Sequence, residues 1–442
     1  MEQVISNIIY CLSEIDAGRS ARVALRSVIE DYQVSKADET QLYYSVLELI
    51  KRLNVVDLYI KLSSSAFSTK KMPFQMRALL RLATYYLKFE KKNLGQVYDL
   101  LSPYYLTFMN KKLLNILSEI NNVTEKDLYV NRSDESSKIS LQYFTPTWIV
   151  RTFIEQWGEG FTKDLLSSLL FSLPTYIRVN TLKTSLEEIK ASLNEKNIVY
   201  EEDKDIAGLL KVGDSNTKPI PQLQEFKNGK IVIQQKASAL VPIVLNPTPG
   251  EIVLDLCASP GSKTSQIASM MGDEKGLVAI DIDKDRMRIL SERMELLGVK
   301  NVESIQSDSR NLPEKFLNFF DKILIDPPCS SSGTFNSRPE IKWRLRRRDL
   351  RLYTKLQAEL LEAAANMVKN QGIIVYSTCS LFHAENHHVI RSFLTSHQNF
   401  SLRNTIPFIG LKSSLLENKA QEIYPHLHNS EGFFIAKLQR NK

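Results

Sequence analysis

The sequence has few cysteines and no long apolar run. Its 442 residues include four cysteines, Cys11, Cys257, Cys329 and Cys379, and none of them forms a C-x-x-C pair. Such sparse usage argues against a disulfide scaffold or a zinc finger and favours a reducing cytosol. No run of about 20 apolar residues exists, and no basic segment leads into an apolar one at the N-terminus. We therefore expect a cytoplasmic protein with neither a membrane span nor a signal peptide.

The excess of positive charge is small. Lysine and arginine number 57 against 50 for aspartate and glutamate, a formal net charge of +7. This charge is compatible with a polyanionic partner but does not require one. Apolar residues make up 43% of the chain, which is typical of a globular protein. The length predicts about two to four domains.

Glycine is nearly absent from the first 120 residues, where only Gly18 and Gly95 occur. Apolar residues recur there at helical spacing, as at Leu49, Leu53 and Val56. Residues 1–125 are therefore predicted to form an all-α domain, a compact bundle of helices joined by short loops. The polar stretch that follows is typical of a linker.

The rest of the chain mixes helices and strands. Residues 140–236 predict a small α+β, RRM-like subdomain that binds RNA. From residue 237 strands and helices alternate, which predicts a doubly wound α/β domain over residues 237–442. Its strands are expected at residues 251–256, 277–281, 302–306, 322–325, 372–377 and 433–438, with helices at 263–271 and 285–297.

A tight turn follows the first of these strands. Cys257-Ala-Ser-Pro-Gly-Ser-Lys263 leads into a helix, whose first N–H groups would face a ligand. The turn matches neither G-x-G-x-x-G nor G-x-x-x-x-G-K, the patterns that cradle phosphates. Asp281 ends the second strand, where an acid accepts hydrogen bonds from a ribose, and Asp308 follows the third, where it would meet an adenine edge. A ribose acid without a phosphate loop predicts S-adenosylmethionine as the cofactor.

Two cysteines follow neighbouring strands. Asp326-Pro-Pro-Cys329 ends the fourth strand, and Thr378-Cys379 ends the next one. Adjacent parallel strands lie about 4.8 Å apart, so both thiols can face one pocket. A thiolate is a strong carbon nucleophile near neutral pH when its pKa is lowered. The pair predicts a two-thiol active site, with Asp326 held beside it because the two prolines stiffen the backbone.

Carbon methylation of a pyrimidine needs this set of groups. C5 of cytosine is a poor nucleophile, but addition of a thiolate at C6 turns C5 into an enamine-like carbon that accepts a methyl group. A base must then remove the C5 proton so that the thiolate can leave. Asp326 is predicted to hold the cytosine through N3 and the exocyclic amine and to stabilise charge as C6 is attacked.

Several motifs together resemble those of the Sun/NSUN (Fmu/RsmB-type) RNA cytosine-C5 methyltransferases. They are Leu254–Lys263, Asp326–Ser330, Tyr376–Ser380 with Glu385-Asn386, Arg178-Val-Asn180, Arg338–Trp343, Tyr424-Pro-His426 and Glu431–Phe434. The first 125 residues are similar to the NusB-like domain that precedes this core in the 16S rRNA member. The resemblance implies a Rossmann-like, S-adenosylmethionine-dependent methyltransferase domain with a seven-stranded, mostly parallel sheet.

The resemblance also implies a role for each matching residue. Cys379 would be the nucleophile that attacks C6, and Cys329 would assist deprotonation of C5 and release of the product. The methyl donor would be lined by Cys257, Ala258, Ser259, Pro260, Gly261, Ser262 and Lys263, and by Asp281, Arg286, Asp308 and Asp326. The chain departs from the family at Ser259 and Ser262, which replace Ala and Gly, and at Gln235, which stands where an acid is usual. Because serine is small, we expect donor binding to survive.

A dense basic run follows the Cys329 loop. It contains Lys342, Trp343, Arg344, Arg346 and Arg347. We predict that these cations neutralise RNA phosphates near the pocket mouth, with Trp343 stacking on a base or packing the loop. We further predict that Arg178 and Asn180 extend this track. A target cytosine in a helix must be turned outward to expose C6.

Three functions of different classes are weighed. The first is a cytosine-C5 methyltransferase acting on rRNA of the 16S, small-subunit type, with tRNA as the alternative substrate. The second is a non-catalytic RNA-binding ribosome-assembly factor, which the presence of both thiols and Asp326 disfavours. The third is a nucleotide-dependent oxidoreductase, which the missing phosphate loop disfavours. We expect an enzyme that is a monomer, binds RNA and has no membrane partner.

Histidines cluster after the second cysteine. His383 and His387 are four residues apart, a spacing that places two side chains on one helix face. The segment H-A-E-N-H is not H-E-x-x-H, however, and the sequence offers no apparent third ligand. We therefore expect no metal and interpret these residues as a polar helix start.

Overall fold

A computed structural model of the chain describes residues 2–63, 69, 72–104, 110–130, 132–213, 219–311 and 313–442. The chain divides into two compact units. Residues 1–171 and 335–345 form the first, called the helical unit below. Residues 172–334 and 346–442 form the second, called the sheet unit.

The helices of the described residues are given first, in chain order. They are α1 Glu2–Asp16, α2 Ala21–Asp31, α3 Lys36–Lys51, α4 Leu53–Ser63, α5 Phe74–Lys88, α6 Leu94–Leu101, α7 Asn110–Asn122, α8 Glu135–Gln142, α9 Thr147–Trp157, α10 Glu159–Ser168, α11 Leu186–Glu195, α12 Gln224–Lys227, α13 Lys236–Leu245, α14 Ser262–Met270, α15 Lys284–Leu297, α16 Glu340–Arg344, α17 Arg347–Met367, α18 His387–Ser396 and α19 Pro425–His428. Among them, none combines the length and the apolar character that crossing a bilayer requires.

Among the described residues, the strands form two sheets. They are β1 Thr175–Val179, β2 Tyr200–Glu202, β3 Leu209–Val212, β4 Ile231–Ile233, β5 Val253–Leu256, β6 Leu277–Asp281, β7 Val302–Gln306, β8 Phe320–Ile325, β9 Val368–Thr378, β10 Phe400–Arg403, β11 Leu411–Lys412, β12 Gln421–Ile423 and β13 Phe433–Arg440. The small sheet has the order β2-β3-β1-β4 and is antiparallel. The large sheet has the order β11-β12-β13-β9-β8-β5-β6-β7, with β10 paired to β13.

Helix α5 lies at the centre of the helical unit. All of its residues from Ala78 to Leu87 are buried. The guanidinium of Arg81 is buried with them and is paired with Asp16 of α1 and Asp57 of α4, at 2.8 and 2.7 Å. A buried cation is tolerated where such partners replace its water, so this network fixes how the three helices pack.

The helical unit extends further along the chain than residues 1–125. Leu141 of α8 is buried in one apolar cluster with Val55 and Tyr59 of α4. The side-chain amide of Asn54 donates to the carbonyl of Ser140 at 2.9 Å. Helices α8, α9 and α10 therefore belong to the helical unit, whereas the sequence patterns place residues 140–171 in the α+β subdomain.

Residues 335–345 join the helical unit although they follow the Cys329 loop in sequence. The backbone N–H of Ala21 donates to Glu340 at 3.2 Å. The indole N–H of Trp343 donates to the carbonyl of Ile50 at 2.6 Å, and its ring packs on the core of this unit. Arg344 donates to the carbonyl of Ile15 at 2.6 Å. Lys342 is 3% exposed.

The large sheet positions the rest of the sheet unit. Five neighbouring strands, in the order β9-β8-β5-β6-β7, run parallel, and β13, β12, β11 and β10 are antiparallel. Side chains of β6 alternate between two apolar clusters, with Leu277 and Ala279 in the one that includes α14 and α15, and Val278 and Ile280 in the other. The sheet has nine strands where seven are expected, since two short strands, β10 and β11, extend its antiparallel part.

Candidate active site

The carboxyl ends of the parallel strands meet at one edge of the large sheet. Leu256 at the end of β5 pairs with Ile280 of β6 and with Ile325 of β8. Ile325 in turn pairs with Tyr376 of β9. Ligands of open α/β sheets bind at this edge. The ends of β5, β6, β7, β8 and β9 and the segments that follow them carry the predicted cofactor and catalytic residues.

The two cysteines of these loops touch. The Sγ atoms of Cys329 and Cys379 lie 3.3 Å apart, and both thiols are free and half-buried. Cys379 Sγ also lies 3.5 Å from the hydroxyl of Ser331. The structure thus brings both predicted sulfur atoms to one place, which is the arrangement that shared chemistry on one base requires.

Their shared surroundings make the two thiols unequal. Hydrogen bonding to Cys379 raises the pKa of the Cys329 thiol well above its ordinary value. Burial adds to this effect, as do the charges of Cys379 and Glu385. The raised pKa favours the protonated form of Cys329 beside Cys379.

Asp326 is held by a buried lysine. Lys263 Nζ lies 2.6 Å from Asp326 Oδ2, and the Ser377 hydroxyl donates to Oδ1 at 3.2 Å. Burial alone would lower the pKa of Lys263, but the charge and hydrogen bond of Asp326 raise it, and Cys379 raises it further. Lys263 therefore stays cationic beside Asp326 and Cys379. The sequence assigned Lys263 to the cofactor, and no sequence signal pointed to this ion pair.

Glu385 is hydrogen-bonded to both of the loops that carry the cysteines. Its carboxylate accepts hydrogen bonds from the N–H of Ser330 at 2.8 Å and from the hydroxyl of Ser380. Ser330 and Ser380 are the residues that directly follow Cys329 and Cys379. The carboxylate also accepts from the side-chain amide of Gln357 at 3.0 Å. Glu385 belongs to a motif that resembles the family, but sequence analysis assigned it no role.

Two glycines allow these loops to approach closely. The N–H of Gly333 donates to the carbonyl of Cys379, and the N–H of Gly432 donates to the carbonyl of Gly333, both at 2.9 Å. A Cβ atom on Gly333 would lie 2.0 Å from the Gly432 oxygen. Any larger residue would push the two backbones apart.

The loop after β5 is shaped by left-handed backbone. Cys257 has a φ of 67° and Gly261 a φ of 92°. At Gly261 a Cβ would also lie 2.8 Å from Met294, so glycine is needed there both for conformation and for space. The N–H of Ala258 donates to the carbonyl of Ile280 at 2.9 Å, and the N–H of Ser259 donates to Asp281 at 3.1 Å. The loop is therefore fastened to the end of β6.

Asp255 lies beneath this loop and is 1% exposed. It accepts a hydrogen bond from the Thr264 hydroxyl at 2.6 Å. Burial raises the pKa of its carboxyl to about 7, although the Thr264 hydrogen bond and Lys263 oppose this shift. The sequence did not single out Asp255.

Two further predicted cofactor residues are engaged with protein partners. The Asp308 carboxylate is paired with Arg310 at 2.7 Å, and this hydrogen bond lowers its pKa. Arg286 donates to the carbonyl of Ser259 and lies 3.7 Å from Asp281. Arg286 therefore braces the loop, and a ligand that reaches Asp308 must share it with Arg310.

The predicted RNA contacts do not form one surface. Arg178 is 6% exposed, donates to Gln234 at 2.7 Å and to Ser265 at 3.0 Å, and burial lowers its pKa to about 10. Asn180 is 2% exposed and donates to the carbonyls of Gly229 and Leu297. These contacts join the small sheet to α14 and α15, so they contradict the prediction that Arg178 and Asn180 touch phosphates.

The basic run is likewise divided. Burial of Lys342 and the bonds of Trp343 and Arg344 within the helical unit speak against their predicted phosphate and base contacts. Arg346 and Arg347 lie in the sheet unit and are exposed, so they remain available to an RNA backbone.

The carboxylates at the carboxyl-terminal edge of the large sheet suit a positively charged nucleoside. Carboxylates end or follow three strands, at Asp281, Asp308 and Asp326, and the loop Cys257–Lys263 lies among them. Carboxylates suit ribose hydroxyls, an adenine amine and a positive sulfonium, and they repel phosphates. The residues present therefore fit S-adenosylmethionine better than a dinucleotide.

Comparison with known proteins gives a consistent result. The profile of the 16S rRNA methyltransferase RsmB/F domain matches residues 242–439. The ferredoxin-like domain of RsmF/B-like methyltransferases matches residues 145–213. The chain is 30% identical to a protein of Synechocystis sp. named "Probable ribosomal RNA small subunit methyltransferase B", over 95% of each chain.

Two further comparisons concern the substrate and the fold. The chain is 34% identical to the tRNA (cytosine(72)-C(5))-methyltransferase of Pyrococcus horikoshii, over 50% of this chain and 56% of that protein. The crystal structure of PH0851 superposes with a TM-score of 0.86 at 30% identity, covering 100% of this chain and 99% of that one. The similarity therefore extends over both units.

Proposed function

Because the chain belongs to the RsmB/F methyltransferase family, we propose that its two-cysteine site methylates C5 of a cytosine in small-subunit rRNA. The enzyme is an RNA cytosine-C5 methyltransferase that uses S-adenosylmethionine. The roles proposed below rest on one observation. The sulfurs of Cys329 and Cys379 lie 3.3 Å apart, beside the Lys263–Asp326 ion pair.

Cys379 starts the reaction as the nucleophile. Its thiolate adds to C6 of the cytosine and forms the S–C6 bond, while the C5–C6 double bond shifts its electrons toward C5. Lys263 favours the thiolate before attack. The Asp326 carboxylate accepts a hydrogen bond from the exocyclic amine. It accepts a second one from N3–H once N3 takes up a proton from solvent, and that proton neutralises the charge gathering on the ring. The bound cofactor supplies an electrophilic methyl group to the activated C5.

Cys329 acts at the end of the reaction. While Cys379 is free, hydrogen bonding to it is the largest cause that raises the Cys329 pKa. Once Cys379 is bonded to C6, that acceptor and its negative charge are gone, and the Cys329 pKa falls. Cys329 then loses its own proton to solvent, and the resulting thiolate removes the C5 proton. The C5–C6 double bond re-forms, and Cys379 leaves as a thiolate. The contact between the two sulfurs therefore sets the order in which Cys379 and Cys329 act.

The choice of rRNA over tRNA rests on the extent of similarity. The rRNA relative from Synechocystis sp. matches 95% of the chain, whereas the tRNA relative matches 50% of it. We include the helical unit, with its NusB-like helices, as an RNA-binding domain of the proposal. Exposed Arg346 and Arg347 are proposed to contact phosphates of the same RNA.

Single cysteine variants test the two roles. Cys379→Ala is expected to abolish transfer of radiolabelled methyl groups to small-subunit rRNA. Cys329→Ala is expected to add to RNA without releasing it, so that a slowly migrating protein–RNA adduct accumulates on a denaturing gel. Cys11→Ala, which removes a thiol from the helical unit, serves as the control and is expected to leave both readouts unchanged.

Two outcomes would contradict the proposal. An adduct with Cys379→Ala but not with Cys329→Ala would reverse the roles. Bisulfite sequencing of total RNA from a deletion strain addresses the substrate, and loss of a methylated cytosine from tRNA alone would replace rRNA by the alternative.

A further inference from the structure

Three side chains that the proposed reaction does not use converge in the sheet unit. One ligand atom each of His383, His387 and Glu422 lies within 4.8 Å of the other two. Glu422 is on β12, far along the chain from the histidines, so no local motif announces it. The structure therefore places a possible third ligand, which the sequence pattern did not reveal, beside the two histidines.

His387 is at the centre of this cluster. It is 1% exposed, and its Nε2 lies 2.8 Å from both Glu422 Oε1 and the Ser413 hydroxyl. Its second ring nitrogen, Nδ1, is buried without a hydrogen-bond partner. The ring of His383 stands edge-on to it, with 4.3 Å between the centroids. A buried polar atom without a partner costs free energy, and Nε2 is the ring nitrogen that faces Glu422.

The donor set matches one metal class well. Two imidazoles and one carboxylate are the ligands of zinc sites that keep a fourth position for water. Nitrogen donors disfavour magnesium and calcium, which prefer oxygen. Zinc bonds of about 2.0–2.2 Å place tetrahedral ligand atoms about 3.3 Å apart. The widest pair in the cluster therefore has to close by up to about 1.5 Å, while His387 Nε2 and Glu422 Oε1, now 2.8 Å apart, have to separate by about 0.5 Å. His383 is half-buried.

We propose that His383, His387 and Glu422 bind one Zn²⁺ ion. The site goes beyond the proposed methyl transfer and takes no part in its steps. It would fasten the segment between the histidines to β12. That segment carries Glu385, which holds both cysteine loops, and Asn386, whose amide donates to the carbonyl of Ser380 at 2.8 Å. The ion would therefore stabilise the frame behind the cysteines.

Metal content is the direct test, and the chain offers a matched control. The full chain is stripped with a chelator, dialysed against Zn²⁺ and measured by inductively coupled plasma mass spectrometry. We expect one zinc per wild-type chain and none in His383→Gln or Glu422→Gln. His388→Gln removes an exposed imidazole next to His387 and is expected to keep its zinc. Circular dichroism confirms that each variant is folded.

Cobalt and heat provide readouts that do not depend on activity. Co²⁺ in place of zinc is expected to give the visible absorption of a tetrahedral site in the wild type and in His388→Gln. Zn²⁺ is expected to raise the melting temperature of these two proteins and not of His383→Gln. Wild-type protein without stoichiometric zinc would overturn the proposal, and so would equal zinc loss in His388→Gln. Either result leaves methyl transfer to RNA, measured separately, unaffected.

Discussion

Cys329 and Cys379 are identical side chains made different by where they lie. The hydrogen bond to Cys379 raises the pKa of the Cys329 thiol, and burial and the charge of Glu385 add to this effect. The sequence predicted that both thiols share a pocket because each follows a strand of a parallel sheet. Spacing alone could not predict the shift in the Cys329 pKa, since it depends on how close the two sulfurs lie and on the distant Glu385.

Asp255 gives a prediction for pH. Its carboxyl has a pKa of about 7 in the folded chain, against about 3.9 in an unfolded one. Between these values the folded state holds a proton that the unfolded state has released, so stability falls as pH rises. In Asp255→Asn the titration is absent and the Thr264 hydrogen bond can persist. We expect wild type to lose about 3 kcal/mol relative to this variant between pH 5 and pH 8.

Chemical denaturation at the two pH values measures this difference. Asp285→Asn, which changes an exposed aspartate of the same unit, is the control and should follow the wild type. A parallel pH dependence of wild type and Asp255→Asn would show that Asp255 is already ionised at pH 5.

At the scale of elements, short-range patterns predicted the sheet well. The strand expected at 277–281 is β6 with the same bounds, because five buried residues in a row are typical of a central parallel strand. The strand expected at 372–377 extends in both directions as β9. Patterns failed where a partner lies far away in sequence. The 335–345 segment has the charge of a surface loop, yet Trp343 bonds to Ile50, and Arg178 is buried against neutral Gln234.

The close approach of the Gly333 and Gly432 backbones gives a prediction at the scale of elements. In Gly333→Ala the new methyl group would meet the Gly432 carbonyl at 2.0 Å, and the hydrogen bond to Cys379 would be strained. Overpacking of this kind costs about 1–3 kcal/mol. We expect that loss in the free energy of unfolding, measured with urea, together with slower methyl transfer because Cys379 moves.

Gly160→Ala is the matched control. Gly160 lies in helix α10, and nothing lies within 4 Å of its added Cβ. The substitution should raise stability by up to about 1 kcal/mol through helix propensity. Unchanged stability and activity in Gly333→Ala would mean that the two backbones can separate freely.

At the scale of the whole molecule, each unit has its own apolar core, so two unfolding transitions are expected. S-adenosylhomocysteine, which resembles the donor, should raise the transition of the sheet unit alone. At a hundredfold excess over its Kd it contributes about 2.7 kcal/mol, which corresponds to a rise of about 5 to 10 °C.

Fluorescence separates the two transitions. The chain has three tryptophans, Trp148, Trp157 and Trp343, and all lie in the helical unit. Their emission should therefore melt at the same temperature with and without the ligand, while calorimetry records the shifted transition. An equal shift in tryptophan emission would show that both units unfold together.

The chain leaves the sheet unit after Thr334 and returns at Arg346, so the polypeptide crosses between the units three times. A gene shortened to begin at residue 172 would still encode the intervening stretch. In that protein Trp343 and Leu345 would lack the helical unit to which they belong, and their apolar side chains would be exposed to solvent. The truncated protein would be prone to aggregation for reasons unrelated to catalysis. Anyone exchanging this bundle between relatives has to graft two separate pieces of sequence at once.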